Sequence, residues 1–175
     1  LLVDAGIDAS FRHLAEDVAG VTPTNYGYPA GNVFRYGAVG NGVATDTTAL
    51  QNCYTANPSG RIDHGNGYTF LINATLTVLS GQVLAGKSKI KAKNSAAISE
   101  IIKGTAVTGV TLDELELGGN KANNGANYGF RFVGGSYNFA RESMYVHDTA
   151  QAGAVLEGES GSFVLGGRYI DCGQN

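Results

Sequence analysis

Apolar and polar residues alternate over short runs in most of this chain. From residue 61 onward each run covers only three to five residues, and glycine, asparagine or serine separates one run from the next. Such alternation places successive side chains on opposite faces of a strand, so every run predicts a short, half-buried β-strand. Clear examples are Leu76–Val78, Ile90–Ala92, Val110–Leu112, Leu115–Leu117 and Phe130–Phe132. Because this part of the sequence shows no helical period, the pattern indicates an all-β fold.

The apolar pattern also repeats along the chain. A shift of 24 residues brings identical residues together, namely Gly129 with Gly153, Phe139 with Phe163 and Tyr145 with Tyr169. A period in the twenties is typical of a β-solenoid, in which each coil stacks on the previous one. Residues 61–175 therefore predict about five coils, roughly 24 Å tall at ~4.8 Å per coil.

The repeat predicts the register between coils as well. One coil earlier the shift is 29 residues, which pairs Val110 with Phe139, Leu115 with Met144 and Leu117 with Val146. The five additional residues predict an outward loop at 118–125. Arg168 falls on the inward position of Met144, which predicts a local slip or bulge in the last coil. We expect Glu116 and Tyr145 to point outward, and the inward residues to be Leu115, Leu117, Phe132, Val146 and Leu156.

Residues 1–31 predict a separate piece with a short helix. Asp8 or Ser10 is a candidate cap, and glycines and prolines between 20 and 31 predict an extended connector. A helix this short is marginal alone in water. It therefore either packs on its own domain or forms a neck in which three copies join their apolar faces. The apolar face consists of Phe11, Leu14, Ala15 and Val18.

Residues 32–60 predict the elements that lead into the coils. Asp46 or Thr45 can accept hydrogen bonds from the first turn of a helix, and Pro58 and Gly60 end it. We expect this helix to cover the open end of the coil stack, which otherwise exposes core residues and unpaired backbone groups. The predicted elements are a strand at Val33–Tyr36, a glycine-rich turn at Gly37–Gly42, a helix at Asp46–Ala56 and a further strand at Tyr68–Ile72.

This segment resembles the N-terminal part of the pectate-lyase-like β-helix superfamily, which is frequent in bacteriophage tailspikes that bind and cut surface polysaccharide. Where the family usually has Gly-Asp-Gly and a double Asp before the helix, this chain has Asn41 and a single Asp46. The resemblance is specific over residues 33–72, looser over 73–175 and absent before residue 30. The matching residues are Phe34, Tyr36, Gly37, Ala38, Gly40, Gly42, Asp46, Thr47, Ala49, Leu50, Gly67, Tyr68 and Ile72.

The resemblance implies a single-stranded right-handed parallel β-helix with a helical neck at 1–31, a first strand and capping helix at 32–60, and the first coils at 61–175. Since the chain stops inside a coil at Cys172–Asn175, we expect it to be the proximal part of a longer protein. That protein is expected to be a homotrimer in the phage tail, attached to the baseplate or an adaptor protein through its N-terminal side. It is expected to act outside the cell on bacterial capsule or lipopolysaccharide, which it binds and depolymerises.

Two other functions fit the same residues. One is a non-catalytic trimeric fibre or adhesin, in which these coils serve only as a spacer and a trimerisation module. The other is a secreted, monomeric pectin-active lyase or hydrolase. The sequence leaves open whether the intact protein is a hydrolase or a lyase, and which sugar it binds.

Composition narrows the classes of function. The chain has 26 glycines and a formal net charge of −3, and without a basic run nucleic-acid binding has no electrostatic support. No apolar segment approaches the ~20 residues of a membrane span. Cys53 and Cys172 are too few for a disulfide framework and are expected to be free, packed thiols. We expect neither a metal nor a cofactor, because His13, His64 and His147 lack the spacing of metal ligands.

Polysaccharide cleavage requires paired carboxylates, or a base for β-elimination. The pair that we nominate for catalysis is Glu116 with Asp148. Stacking predicts one column of Glu116, Tyr145 and Tyr169 and a second of His147 and Asp171, and aromatic rings beside acids suit sugars. The alternative is a charged ridge that keeps the solenoid soluble. We expect this chain alone not to cleave polysaccharide, and the nominated carbohydrate contacts are Tyr145, Tyr169, Arg131 and Asp171.

Overall fold

The computed structural model of the chain describes residues 14–173, which form three parallel sheets around one apolar core. Each turn contributes one strand to each sheet, and every strand pairs with its counterpart in the next turn. The result is a parallel β-solenoid of about five turns, so the predicted all-β solenoid is confirmed. Neither helix of the described part of the chain is long and apolar enough to cross a membrane.

The strands follow one another in a regular cycle through the three sheets. The first sheet contains β2 (Gly60–Asp63), β5 (Gln82–Ala85), β8 (Thr111–Leu112), β11 (Phe139–Ala140) and β14 (Phe163–Val164). The second contains β1 (Asn41–Thr45), β3 (Thr69–Ile72), β6 (Lys89–Ala92), β9 (Glu116–Gly118), β12 (Tyr145–His147) and β15 (Arg168–Ile170). The third contains β4 (Leu76–Thr77), β7 (Ile98–Thr105), β10 (Ala126–Val133) and β13 (Ala152–Glu157). The helices are α1 (Leu14–Ala19) and α2 (Thr47–Ala56), with 3-10 turns at Val33–Tyr36 and Lys121–Asn123.

The interior holds the side chains that the alternation predicts. Leu117 and Val146 are fully buried on neighbouring strands, and Phe132 is fully buried on the third sheet. Leu115 is also buried, whereas Leu156 is only half-buried and packs against the core from the edge. The predicted inward set is therefore confirmed. Each Leu or Val of this kind contributes about 1.5–3 kcal/mol through burial, so the stacked rows hold the turns together.

The predicted register is correct for most strands. Phe139 pairs with Phe163 at the expected shift of 24, and Leu117 pairs with Val146 at the expected shift of 29. Between the second and third sheets, the segment 118–126 is five residues longer than its counterpart in the next turn, so the predicted loop is confirmed. The pairing of Val110 with Phe139 is wrong by one position, because Phe139 lies opposite Thr111.

The predicted slip at Arg168 is confirmed, and it changes the last turn. Tyr145 lies opposite Arg168, not Tyr169, so the shift there is 23 residues. One residue fewer connects β14 to β15 than connects β11 to β12, and Gly166 and Gly167 both adopt positive φ in this tight connection. Since a shift of one residue exchanges the two faces of a strand, the side chains of β15 are reversed relative to the prediction.

The segment before the coils differs from the prediction in two places. Val33–Tyr36 is a 3-10 turn and not a strand, because the Asn32 side chain accepts from the Phe34 amide and Gly37 ends the turn at φ 91°. The strand of this segment is instead β1, which begins in the last two residues of the predicted turn and continues to Thr45. Asp46 precedes α2 but its side chain does not cap the helix. Its carboxylate accepts from the amides of Val39 at 2.7 Å and Gly40 at 3.3 Å, which stabilises the glycine-rich turn.

The α2 helix packs against the first turn of the solenoid, and α1 packs against α2. The α2 helix contacts β3 and β4 and buries Leu50, Cys53, Tyr54 and Ala56 in the common core. The α1 helix contacts α2, and its fully buried Glu16 forms an ion pair with Arg35 at 2.6 Å. Val18 is 81% exposed, and Phe11 of the predicted helical face lies outside the described residues. The division at residues 31 and 60, the capping role of α2 and the neck stay predictions.

Candidate functional site

The outer face of the second sheet carries an ordered row of side chains. Parallel strands of successive turns stack in register, so equivalent outward positions form a line that crosses the strands. Glu116 and Tyr145 are neighbours in this line, as predicted. The complete row is Thr69, Lys89, Glu116, Tyr145 and Arg168.

The centre of this row is a cluster of charged groups around His147. Oε1 of Glu116 lies 2.9 Å from His147 Nε2 and 2.5 Å from the ammonium nitrogen of Lys89. On the other side of the ring, Nδ1 lies 2.6 Å from Oδ2 of Asp148. Each ring nitrogen of His147 thus contacts the carboxylate of a different acid. The two nominated acids are therefore close together, with one imidazole between them.

Backbone geometry explains the position of Asp148. This residue follows the last residue of β12 and adopts φ 55°, a left-handed conformation that Asp tolerates better than most residues. The turn directs its carboxylate back toward the preceding His147. His147 is 15% exposed, whereas Asp148 is 46% exposed and Glu116 is 30% exposed. The acids therefore remain accessible to a ligand while the imidazole fixes their orientation.

The stacked rings of Tyr145 and His147, which we call the aromatic plate, lie beside the cluster. The rings of Tyr145 and His147 stack with 4.7 Å between their centroids and 24° between their planes. The guanidinium of Arg168 lies 5.1 Å from the centroid of Tyr145, at cation–π distance. Aromatic faces pack against the apolar face of a pyranose, and neighbouring charged groups bind its hydroxyls. The plate and the cluster thus provide both kinds of contact that a sugar requires.

The row borders a groove on the outer face of the second sheet. One depression of 390 Å³ lies beside Glu116 and Tyr145, and one of 470 Å³ lies beside Leu71. A third, of 180 Å³, lies over Gly118. Lys89 lines all three, so they are neighbouring parts of one open groove.

The remaining nominated residues do not all reach this groove. Asp171 lies at its edge, 3.8 Å from Lys121, whose amide binds the Asp148 carbonyl. Tyr169 does not join the column of Glu116 and Tyr145, because the slip in the last turn places it opposite Val146. It packs half-buried against the core, and burial raises its pKa to about 12. The predicted pairing of His147 with Asp171 is wrong for the same reason, since His147 lies opposite Ile170.

Arg131 lies on the third sheet, away from this groove. Its guanidinium binds Glu157 at 2.6 Å and lies 5.8 Å from the ring centroid of Tyr128. The carboxylate of Glu157 raises the pKa of Arg131. As a carbohydrate contact Arg131 would therefore belong to a different surface from Glu116 and Asp148.

Two functional features of the groove were missed from the sequence. His147 was set aside for lack of metal-ligand spacing, although it connects the nominated acids. Four lysines at alternate positions in and around the predicted strand Ile90–Ala92 were also left uninterpreted, namely Lys87, Lys89, Lys91 and Lys93. Period-two alternation was the available signal, because it places all of them on the same face. Among residues 14–173, no group of three or more His, Cys, Asp or Glu side chains is arranged to hold a metal ion.

Comparison with known proteins shows that the fold of this chain is similar to that of a solved structure. No protein-family model matches the chain, and no curated protein matches it either. Among solved structures, ORF18 of Geobacillus virus E2 is similar, with a TM-score of 0.58 and 21% sequence identity. The match covers 70% of this chain but only 26% of the viral protein. At this identity the likeness shows a shared fold, and it links the solenoid to a fold found in a bacterial virus.

Proposed function

We propose that this chain is the proximal part of a phage tailspike that binds bacterial surface polysaccharide along the second sheet. The observation that carries the proposal is the groove in which the Tyr145–His147 plate adjoins Glu116 and Asp148. An aromatic face beside oriented carboxylates suits a pyranose ring and its hydroxyls. A solenoid repeats this face turn after turn, which suits a polymer of repeating sugars.

Within this chain the groove is better suited to binding than to cleavage. A general acid must carry a proton to donate, and enzymes supply one by placing a carboxyl group in an apolar site. Glu116 instead contacts Lys89 and His147, and Asp148 contacts His147. Glu116 is also 30% exposed and Asp148 46% exposed, so neither lies in an apolar site, and their oxygens are placed to accept hydrogen bonds from sugar hydroxyls. We propose that cleavage, in the intact protein, occurs outside this chain or between subunits, and Glu116 with Asp148 stays our nominated pair if it occurs here.

The intact protein is proposed to be a virion component that meets the polysaccharide outside the cell. The viral source of a solved structure with the same fold supports this assignment. We also propose a homotrimer that is attached through its N-terminal side. The second candidate is a non-catalytic fibre or adhesin. The carboxylates of Glu116 and Asp148 already contact Lys89 and His147, which favours this candidate over a pectin-active enzyme.

A binding and cleavage assay separates these functions. The 175-residue chain and the longer native protein are incubated with purified host capsule or lipopolysaccharide, and binding and released oligosaccharides are both measured. We expect both proteins to bind, and only the longer one to release oligosaccharides. Release by neither, despite tight binding, would favour the adhesin, and release by the chain alone would place the active site here. Failure of both to bind any host polysaccharide would contradict the proposal.

Variants of Tyr145 test the location of the binding site. If the ring of Tyr145 contributes as much against a sugar as against another aromatic ring, about 0.5–1.5 kcal/mol, Tyr145→Ala should weaken binding ~2–10-fold. Tyr137→Ala is a matched control, because Tyr137 is 60% exposed and lies outside the groove. Equal affinity of both variants and the unmodified chain would show that the second sheet is not the binding face.

A further inference from the structure

One short segment on the second sheet presents four lysines, of which Lys89 and Lys91 lie in β6 and Lys87 and Lys93 flank it. Lys87, Lys89, Lys91 and Lys93 alternate with buried residues, so all four side chains lie on the outer face. They are four of the 12 Lys and Arg residues in a chain whose net charge is −3. We refer to this segment, residues 87–93, as the lysine strand. It creates a local positive field on a protein that is negative as a whole, and such fields attract anionic ligands.

The four lysines differ in whether a nearby carboxylate neutralises their charge. Lys87 lies 3.7 Å from Glu114, and Lys89 lies 2.5 Å from Glu116. Lys93 donates to the hydroxyl of Thr45 at 3.2 Å, which leaves its charge uncompensated. Lys91 has no carboxylate within ion-pair distance among residues 14–173. Uncompensated positive charge is therefore available at the C-terminal end of the lysine strand, at Lys91 and Lys93.

The neighbour of Lys91 in the next turn is a glycine, and this opens space beside the free ammonium group. Lys91 lies opposite Gly118, and Gly118 lies opposite His147. A Cβ atom at position 118 would lie 3.5 Å from Lys91 Cγ and 3.4 Å from the His147 ring. The side chains of Lys91 and His147 thus flank an empty place above the Gly118 backbone. The depression there has a volume of 180 Å³, and Lys121 and Asp148 complete its walls.

We propose that the depression over Gly118, which we call the cradle, binds the carboxylate of an acidic sugar. The ligand of the groove is then a carboxylate-bearing polysaccharide. This inference rests on the proposed function and adds the class of sugar. Lys91, with Lys121 nearby, can donate charge-assisted hydrogen bonds to the carboxylate. The adjacent ring of Tyr145 can pack against the sugar itself. Nucleic acid is the other class of polyanion that this positive charge can attract, and the experiment below distinguishes it from an acidic sugar.

Matched pairs of polymers test this inference. Calorimetry would measure the affinity of the chain for polygalacturonate, alginate and hyaluronan, and for the carboxyl-reduced, neutral form of each. We expect at least one acidic polymer to bind, its neutral form to bind at least about tenfold more weakly, and added salt to weaken the acidic complex. A DNA oligonucleotide of similar charge serves as a polyanion without sugar carboxylates.

Three variants and one control locate the site. Lys91→Gln should weaken binding of the acidic polymer by about tenfold, whereas Lys91→Arg should retain it because the charge is kept. Gly118→Leu should weaken binding by filling the cradle, and position 118 has an ordinary φ that accepts a side chain. Arg61→Gln removes one exposed positive charge from the first sheet and should have no effect. Thermal unfolding of each variant confirms that the fold is retained.

The outcomes separate this inference from the proposed function. Equal affinity for acidic and neutral polymers, equal affinity for DNA, or unchanged affinity in Lys91→Gln would overturn the acidic-sugar cradle. Failure of all three acidic polymers to bind would also overturn it. The proposed function fails only if host polysaccharide does not bind either. Binding of host polysaccharide by Lys91→Gln with full affinity would therefore retain the function and reject the cradle.

Discussion

His64 shows how a single polar residue is accommodated in the core. It is fully buried, and its Nδ1–H donates to the Ala85 carbonyl at 3.0 Å. Its Nε2 accepts from the Tyr54 hydroxyl at 2.8 Å, so both nitrogens are satisfied by one neutral tautomer. Burial lowers the pKa of His64 to about 4, from 6.5. The stability of the solenoid should consequently depend on pH below neutrality.

We expect the free energy of unfolding to fall by about 2 kcal/mol between pH 7.5 and pH 5 because of His64. Between pH 6.5 and pH 4 the unfolded chain binds a proton at this residue and the folded chain does not. The stabilisation is therefore complete above pH 6.5 and is lost progressively as the pH falls toward 4. Urea unfolding at several pH values measures this effect.

His64→Gln provides the control for the titration. The amide can accept from Tyr54 and donate to the Ala85 carbonyl, but it does not titrate in this range. Its free energy of unfolding should change less between pH 7.5 and pH 5 than that of the unmodified chain. The same pH dependence in both proteins would show that other groups cause the loss of stability.

At the scale of elements, α2 connects the N-terminal segment to the first turn. Leu50 and Cys53 are fully buried and belong to the same core cluster as the strands. Burial also raises the pKa of the Cys53 thiol, which keeps it protonated, and both cysteines of the chain are free. The helix thus shields apolar side chains of the first turn, as expected of an element that covers the end of a solenoid.

We expect Leu50→Ala to lower the free energy of unfolding by about 2–4 kcal/mol, because it removes a fully buried side chain and leaves a cavity. Chemical unfolding of the purified variant measures the loss. Val43→Ala is the control, since Val43 is 77% exposed on β1, and it should change stability by less than about 0.5 kcal/mol. A similarly small loss for Leu50→Ala would contradict a capping role for α2.

At the scale of the whole molecule, we expect the longer native protein to form a homotrimer with parallel axes. The α1 helix leaves Val18 81% exposed, so an apolar side chain is available for contact with other subunits. Light scattering on the longer chain at micromolar concentration measures the mass. A monomeric mass would contradict the trimer, whereas a monomer of the present chain would not, because later coils are expected to bury most of the interface.

The sequence by itself determined the solenoid, its period and most of its interior. Period-two alternation and a repeat in the twenties are local, recurring properties, so Leu117, Phe132 and Val146 were assigned correctly to the core. The pairing of Glu116 with Tyr145 followed from the same register, and so did the loop at 118–125. These features need only the spacing of residues within one or two turns.

Only the tertiary structure decided which residues meet at the groove. The side chain of Tyr169 changed faces because a connection one residue shorter shifts a whole strand, and the slip predicted at Arg168 did not by itself show which side chains it would reverse. The Val33–Tyr36 segment became a 3-10 turn because Asn32 and Gly37 outweigh its strand propensity. His147 contacts both Glu116, which lies 31 residues earlier in the chain on the neighbouring turn, and Asp148, which directly follows it. Contacts of this kind arise from stacking, so they become visible only when neighbouring turns are placed side by side.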